Sequence, residues 1–320
     1  MSEAPVLKHP ITLHFRGDWG QANLHRICGW IAQEMGDRAP AGSRFAIWNG
    51  RGGADQIEAL RAGEVDIALV TPTAAVRALD HAGKTEGLAS LGVIGQRDRL
   101  VVAVDASLPV TTVADLASIT DQLTVATSPD DGVNLIGLAA HKALRVAGVA
   151  PEKLTFLYDE RPFPLLEHFI EGKANVLINE AVMTPRWQQL DRVRPVKYLP
   201  WGDDVLRAFA AEGWQGAVVE AGYFPGLAED LHTLDFSDFA ILCRQDMDDD
   251  VAALATWCMV MTRRALEAQY VHLPADRSPV TYPLVPADMA RSPLPLHPAA
   301  ARTYAALGNS ELSDGAPLWK

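Results

Sequence analysis

The side chains best suited to chemistry sit in short polar loops that follow apolar runs. The densest is Ser128-Pro129-Asp130-Asp131-Gly132-Val133-Asn134. It follows the β-prone run Leu123 to Ala126 and precedes apolar residues at helical spacing: Leu135, Leu138, Ala139, Leu144 and Val146. Hydroxyl, carboxylate and amide groups at a strand-to-helix turn have two uses. They cap the helix, with Asp130 or Asp131 as the expected cap. Alternatively, together with the unpaired N–H groups of the helix start, they hold a small polar ligand. Ser128, Asp130, Asp131 and Asn134 are the candidate contacts here.

The N-terminal end repeats the pattern. Arg16-Gly17-Asp18-Trp19-Gly20-Gln21-Ala22-Asn23 links the alternating run Ile11 to Phe15 to a helix on Leu24, Ile27, Cys28, Ile31 and Met35. Arg16, Trp19, Gln21 and Asn23 are candidates in it. Thr71 and Thr73 follow the apolar run Val65 to Val70, and Asn179 and Glu180 follow Ala174 to Ile178. Ligands of open α/β sheets bind outside the carboxyl ends of strands, so these four join the set. Capping of a helix before Ala74 is the alternative for the two threonines. Arg16, Arg51 and Arg161 lie in or beside loops and can neutralise a carboxylate through bidentate pairing. A solvated surface charge is the competing reading of each.

Nothing in the sequence spells out catalysis. His25 and Cys28 stand three apart on one helix face, a conceivable dyad. There is no nucleophile elbow, metal motif or dinucleotide fingerprint. Gly50-Arg51-Gly52-Gly53 lacks the Gly-Lys-Ser/Thr ending of a phosphate loop. No cofactor is expected. The three cysteines, Cys28, Cys243 and Cys258, are widely spaced and read as reduced thiols, two of them in apolar helical patterns.

Strands and helices must position these loops. Further strands are expected at Arg44 to Trp48, Leu88 to Gly95, Leu100 to Val104, Leu154 to Tyr158, Val196 to Leu199, Ala217 to Glu220 and Phe236 to Leu242. Helices are expected at Ala54 to Ala62, Pro109 to Ser118, Pro164 to Glu171, Asp203 to Ala211 and, as one long element, Asp250 to Gln269. Proline density from Pro274 to Pro298 suggests a tail wrapped over the surface. This alternation predicts an α/β fold of two lobes: residues 1–104 in the first, 105–234 in the second, and 235–320 returning to the first.

A chain of 320 residues has room for two lobes. The formal charge of −12 argues against a nucleic-acid partner, which needs a basic surface. The opening MSEAPVLKHPITLHF has no basic n-region, apolar h-region or small-residue cleavage site. A cytoplasmic location is the expectation from these residues, or the periplasm if an export sequence has been removed.

Several segments together resemble one family. Gly53 to Val70 (GADQIEALRAGEVDIALV), Leu123 to Gly148, Phe169 to Ile178 (FIEGKANVLI), Ala221 to Leu234 (AGYFPGLAEDLHTL) and Pro293 to Gly308 (PLPLHPAAARTYAALG) occur in its order. They resemble the substrate-binding subunit of TAXI-type TRAP transporters, a branch of the type 2 periplasmic-binding-protein fold. The resemblance implies two α/β lobes joined by crossing strands, a ligand cleft between them and hinge closure on binding. It implies a small organic acid or amino acid as ligand, a membrane transporter subunit as partner, and Tyr223 as a further cleft residue. A cytoplasmic enzyme or ligand sensor acting on a carboxylic or aromatic acid is the alternative on the same fold.

Overall fold

Apolar runs bounded by turn chemistry become strands, and runs with an apolar residue every third or fourth position become helices. In the computed structural model, which describes residues 3–18, 22–181 and 185–308, the chain opens with Thr12–Arg16 (β1), Asn23–Gly36 (α1), Arg44–Trp48 (β2), Ala54–Arg61 (α2), Ile67–Val70 (β3), Thr73–His81 (α3) and Leu88–Ile94 (β4). There follow Arg99–Asp105 (β5), Thr124–Thr127 (β6), Leu135–Val146 (α4), Thr155–Tyr158 (β7), Pro162–Ile170 (α5), Val176–Glu180 (β8), Pro185–Val193 (α6), Val196–Leu199 (β9), Asp203–Ala210 (α7), Gly216–Val219 (β10) and Leu231–Asp235 (β11). The chain closes with Phe239–Arg244 (β12), Asp249–Met261 (α8), Arg263–Glu267 (α9), Pro286–Met289 (α10) and Pro298–Gly308 (α11).

Two compact units result: Met1–Arg97 with Asp238–Lys320, and Asp98–Ser237. Among the described residues, the first unit holds a sheet ordered β2-β1-β3-β12-β4. β1 runs parallel to β2 and β3, while β12 is antiparallel to both its neighbours. Phe15, Ile27, Ile31, Met35, Leu254 and Met259 fill its core, where α8 packs against α1 and α11. The expected helix Asp250 to Gln269 is broken at Thr262. Its hydroxyl donates to the Cys258 carbonyl at 2.7 Å and accepts Trp30 Nε1–H at 3.1 Å. A side chain that bonds its own helix backbone competes with helix propagation.

The Pro-rich stretch is more than a surface wrap. Val280, Leu284, Met289 and Leu294 are buried. Buried Arg263 ties the stretch to α8, donating to the carbonyls of Val260 at 2.8 Å and Leu284 at 2.9 Å. His297 then starts α11: its Nδ1 accepts the Ala299 N–H at 3.2 Å, so the ring proton sits on Nε2, 3.0 Å from the Met247 carbonyl.

The second unit's described strands are ordered β10-β11-β5-β8-β6-β7, with β9 also on β5. Leu165, Phe169, Leu177, Trp187 and Phe224 form its core. The crossing into this unit comes at 97/98 rather than near 104, because all of β5 pairs with β8, β9 and β11 of the second sheet. The return falls at 237/238. β11 carries no clean alternation in sequence and is a strand because it lies between β10 and β5.

Candidate functional site

In the first unit β1, β2 and β3 end at one edge of the sheet, with Arg16 in register with Trp48 and Ala68. Gln56, fully buried in α2, locks that edge. Its Nε2 donates to the carbonyls of Gly17 at 2.6 Å, Arg16 at 3.2 Å and Leu69 at 3.2 Å. With the amide nitrogen so placed, Gln56 Oε1 faces the other way, and it has no protein partner. Arg16 Nε is likewise buried and unpartnered, although Arg16 Nη2 donates to Asp55 at 2.9 Å. Gly50 covers both atoms. A Cβ there would stand 2.6 Å from Gln56 Oε1 and 2.7 Å from Arg16 Nε, so only glycine fits. At the end of β3, Thr71 Oγ1 is a third buried oxygen without a partner. Pro72 occupies the N-cap of α3, which has no side-chain cap bond, and Thr73 is its first helical residue.

The second unit is built alike. β6 ends at Thr127, and the Oγ of Thr127 and of Ser128 are both buried without partners; the two residues are 0 % exposed. The loop that follows is held by its own polar groups. Asp131 Oδ1 accepts the N–H of Val133 and of Asn134, both at 2.9 Å. Asn134, not Asp130 or Asp131, caps α4: its Oδ1 accepts Ile136 N–H and Gly137 N–H at 3.1 Å. The amides expected to face a ligand are thereby consumed. Asp130 pairs instead with Arg145 at 3.0 Å. Both loop carboxylates thus have local duties. Gly137 lets the loop lie directly on the helix, since a Cβ would fall 1.9 Å from the Pro129 carbonyl oxygen.

The crossing segments meet each sheet at this same carboxyl edge. In the first unit Gln96 N–H donates to Asp238 Oδ1 at 2.9 Å, and Asp238 N–H to the Gln96 carbonyl at 3.2 Å. Asp238 holds φ at 70°, a left-handed conformation that Asp tolerates better than most residues. In the second unit Phe236 N–H donates to the Asp98 carbonyl at 3.1 Å, and Asp98 N–H to Ser237 Oγ at 3.2 Å. Arg99 adds Nη1 bonds to Asp235 at 2.9 Å and to Ser237 at 2.6 Å.

Asp98 is 1 % exposed. Burial, and then the charge of Glu180, push its carboxyl well above the usual carboxylate range, against the opposing pull of Arg99. The folded state therefore holds this proton more tightly than the unfolded chain. Stability is greatest below the ordinary carboxylate value of 3.8 and falls as pH rises through the folded value. Asp98→Asn keeps an acceptor for Arg99 N–H and removes the titration. Thermal unfolding against pH should show a flatter profile for the variant, with its advantage growing toward neutral pH; parallel profiles would refute this assignment.

Of the other expected site residues, Asn23 Oδ1 accepts Tyr270 Oη–H at 2.9 Å. Asn179 is buried, with Nδ2 on the Pro162 carbonyl at 3.0 Å and Oδ1 on Glu180 N–H at 2.9 Å. Arg51 donates its backbone N–H to Asp55 at 3.0 Å. Arg161 is 60 % exposed beside Asp159, a surface charge. Tyr223 packs edge-on against Phe224, in a turn whose flanking strands β10 and β11 meet at the sheet end away from Thr127. Trp19 and Gln21 lie outside the described residues. Cys28 is fully buried, and burial, reinforced by Asp18, pushes its thiol far up, away from the thiolate that a nucleophile needs. Gln56, Asp98 and Thr127 were not anticipated. Thr127 was within reach, by the same strand-end rule that selected Thr71.

A comparison with curated proteins gives no match. Among solved structures, XAC2383 from Xanthomonas citri bound to ATP is similar at a TM-score of 0.51 and 13% identity, over 94% of this chain and 98% of that one. A structure described as a periplasmic transporter is similar at a TM-score of 0.50 and 11% identity, over 94% of each chain. These likenesses bear on the fold, which is that of the type 2 periplasmic-binding-protein-like solute-binding proteins. The family profile described as NMT1-like matches residues 26–308, nearly the whole chain, and the protein therefore belongs to the NMT1-like family.

Proposed function

We propose that this protein captures a small organic acid or amino-acid-like solute through polar groups at the carboxyl ends of its strands. One observation carries the reading. Arg16 Nε, Thr71 Oγ1, Thr127 Oγ1 and Ser128 Oγ are buried polar atoms without protein partners, and all stand at strand carboxyl ends. A buried polar group left unpaired costs about 1–3 kcal/mol, which a ligand's oxygens would return. Hydroxyl and guanidinium donors suit a carboxylate.

The resemblance to TAXI-type subunits extends the proposal to delivery. The solute is passed to a TRAP-type membrane subunit, which would place the protein in the periplasm.

Isothermal titration against a panel of amino, keto and dicarboxylic acids tests the binding. Thr71→Val and Ser128→Ala should each weaken the best ligand by roughly 5- to 10-fold, the value of one hydrogen bond of about 1 kcal/mol or slightly more. Unchanged affinity in both variants would move the site elsewhere.

A further inference from the structure

The first unit carries a groove remote in sequence from the strand-end residues. It has a volume of about 400 Å³ and runs between the N-terminal segment, the start of α8 and the face of α11. Its floor is apolar, with Trp257, Ala253 and Leu307, and its rim carries the carboxylates of Glu3, Asp249 and Asp250. Arg302 also lines it but is paired with Asp249 at 2.6 Å, so the rim remains acidic. The Trp257 ring already stacks with a guanidinium, that of Arg38, whose carbon lies 5.1 Å from the ring centre. Apolar floor and acidic rim together match one kind of side chain: an aliphatic stem that ends in a positive charge.

We infer that this groove docks a basic segment of a partner protein, with a Lys or Arg stem on the Trp257 floor and its charged head between Glu3 and Asp250. Charge complementarity selects this occupant. An acidic or phosphorylated segment would meet the carboxylates of Glu3 and Asp250 beside the Arg302–Asp249 pair, and a purely apolar one would add no counter-charge to that net negative rim. The surface is independent of the solute-binding reading and stands or falls separately.

The test is fluorescence anisotropy with a labelled octapeptide of alternating Arg and Leu, and a Glu-Leu counterpart as control. The groove variant combines Glu3→Gln with Asp250→Asn. Both changes are isosteric, and the second keeps an acceptor for Val251 N–H. A control variant, Asp203→Asn with Asp204→Asn, removes the same charge from the start of α7 in the other unit. The basic peptide should bind, the acidic one should not, and higher salt should weaken the complex. The groove variant should lose at least 10-fold in affinity and the control less than 2-fold. Trp257→Ala, checked for folding by circular dichroism, should lose a similar factor. Equal losses in groove and control variants would reduce the effect to general charge attraction and overturn the assignment. Failure of the basic peptide to bind would do the same, as would a concentration-dependent dimer in ultracentrifugation that the groove variant abolishes.

Discussion

Gln56→Leu is expected to destabilise the first unit by about 3 kcal/mol, several degrees in its melting transition. The residue is fully buried, and one amide nitrogen serves three backbone carbonyls: two at the end of β1 and one at the end of β3. Leucine fills the volume but takes the side-chain donor from all three carbonyls. Loss of a buried bond costs more than its net worth because the stranded partner keeps its desolvation penalty. Gln56→Glu separates this effect from packing. It preserves shape but loses the donor, so it should fail at least as badly. Differential scanning calorimetry reads both; a change under about 0.5 kcal/mol, the range of an ordinary surface substitution, would show that the clamp is dispensable.

Gly137→Ala should have the other large effect. In most helices the change is favourable by up to about 1 kcal/mol. Here the new methyl would fall 1.9 Å from the Pro129 carbonyl oxygen and 2.7 Å from that of Ser128. Those atoms are backbone, so the loop itself must move. A net loss of about 2 kcal/mol is expected, the overpacking cost less the helix gain, together with loss of solute binding as Ser128 is displaced. Gly29→Ala in α1 is the matched control. Its nearest neighbour is an Ile47 methyl at 3.9 Å, and it should be neutral or stabilising. Denaturant titration of the two variants side by side tests the contrast, and similar behaviour would contradict the close contact at Gly137.

The contrast shows what a sequence can and cannot display. Thr124–Thr127 and Leu135–Val146 were legible because apolar periodicity and turn residues are local. Both glycines also sit in helices with apolar residues on either side, and nothing local tells which of them has a carbonyl against it. The cap shows the same limit. Asp130, Asp131 and Asn134 are all good caps by type, and the choice fell to Asn134 because the close seating of the loop left Asp131 to bond the turn and Asp130 to meet Arg145. Gln56 gave no signal, being one polar residue in the first turn of an ordinary amphipathic helix. Asp98, between Arg97 and Arg99, reads as an exposed charged turn until β5 is known to pair within the second sheet. Strand-end position is a rule that needs only local sequence. It selected Thr71, whose hydroxyl is buried and unpartnered, along with Asn179, whose amide oxygen and nitrogen are both bonded, and it applies equally to Thr127.

The most direct test of the central claim is equilibrium dialysis of the protein against a metabolite extract, followed by denaturation and mass spectrometry of what is released. The wild type should release one small acid or amino-acid-like molecule in near-equimolar amount, and the double variant Thr71→Val with Ser128→Ala should release far less. No molecule retained above a heat-denatured control, or equal retention by the double variant, would contradict the account.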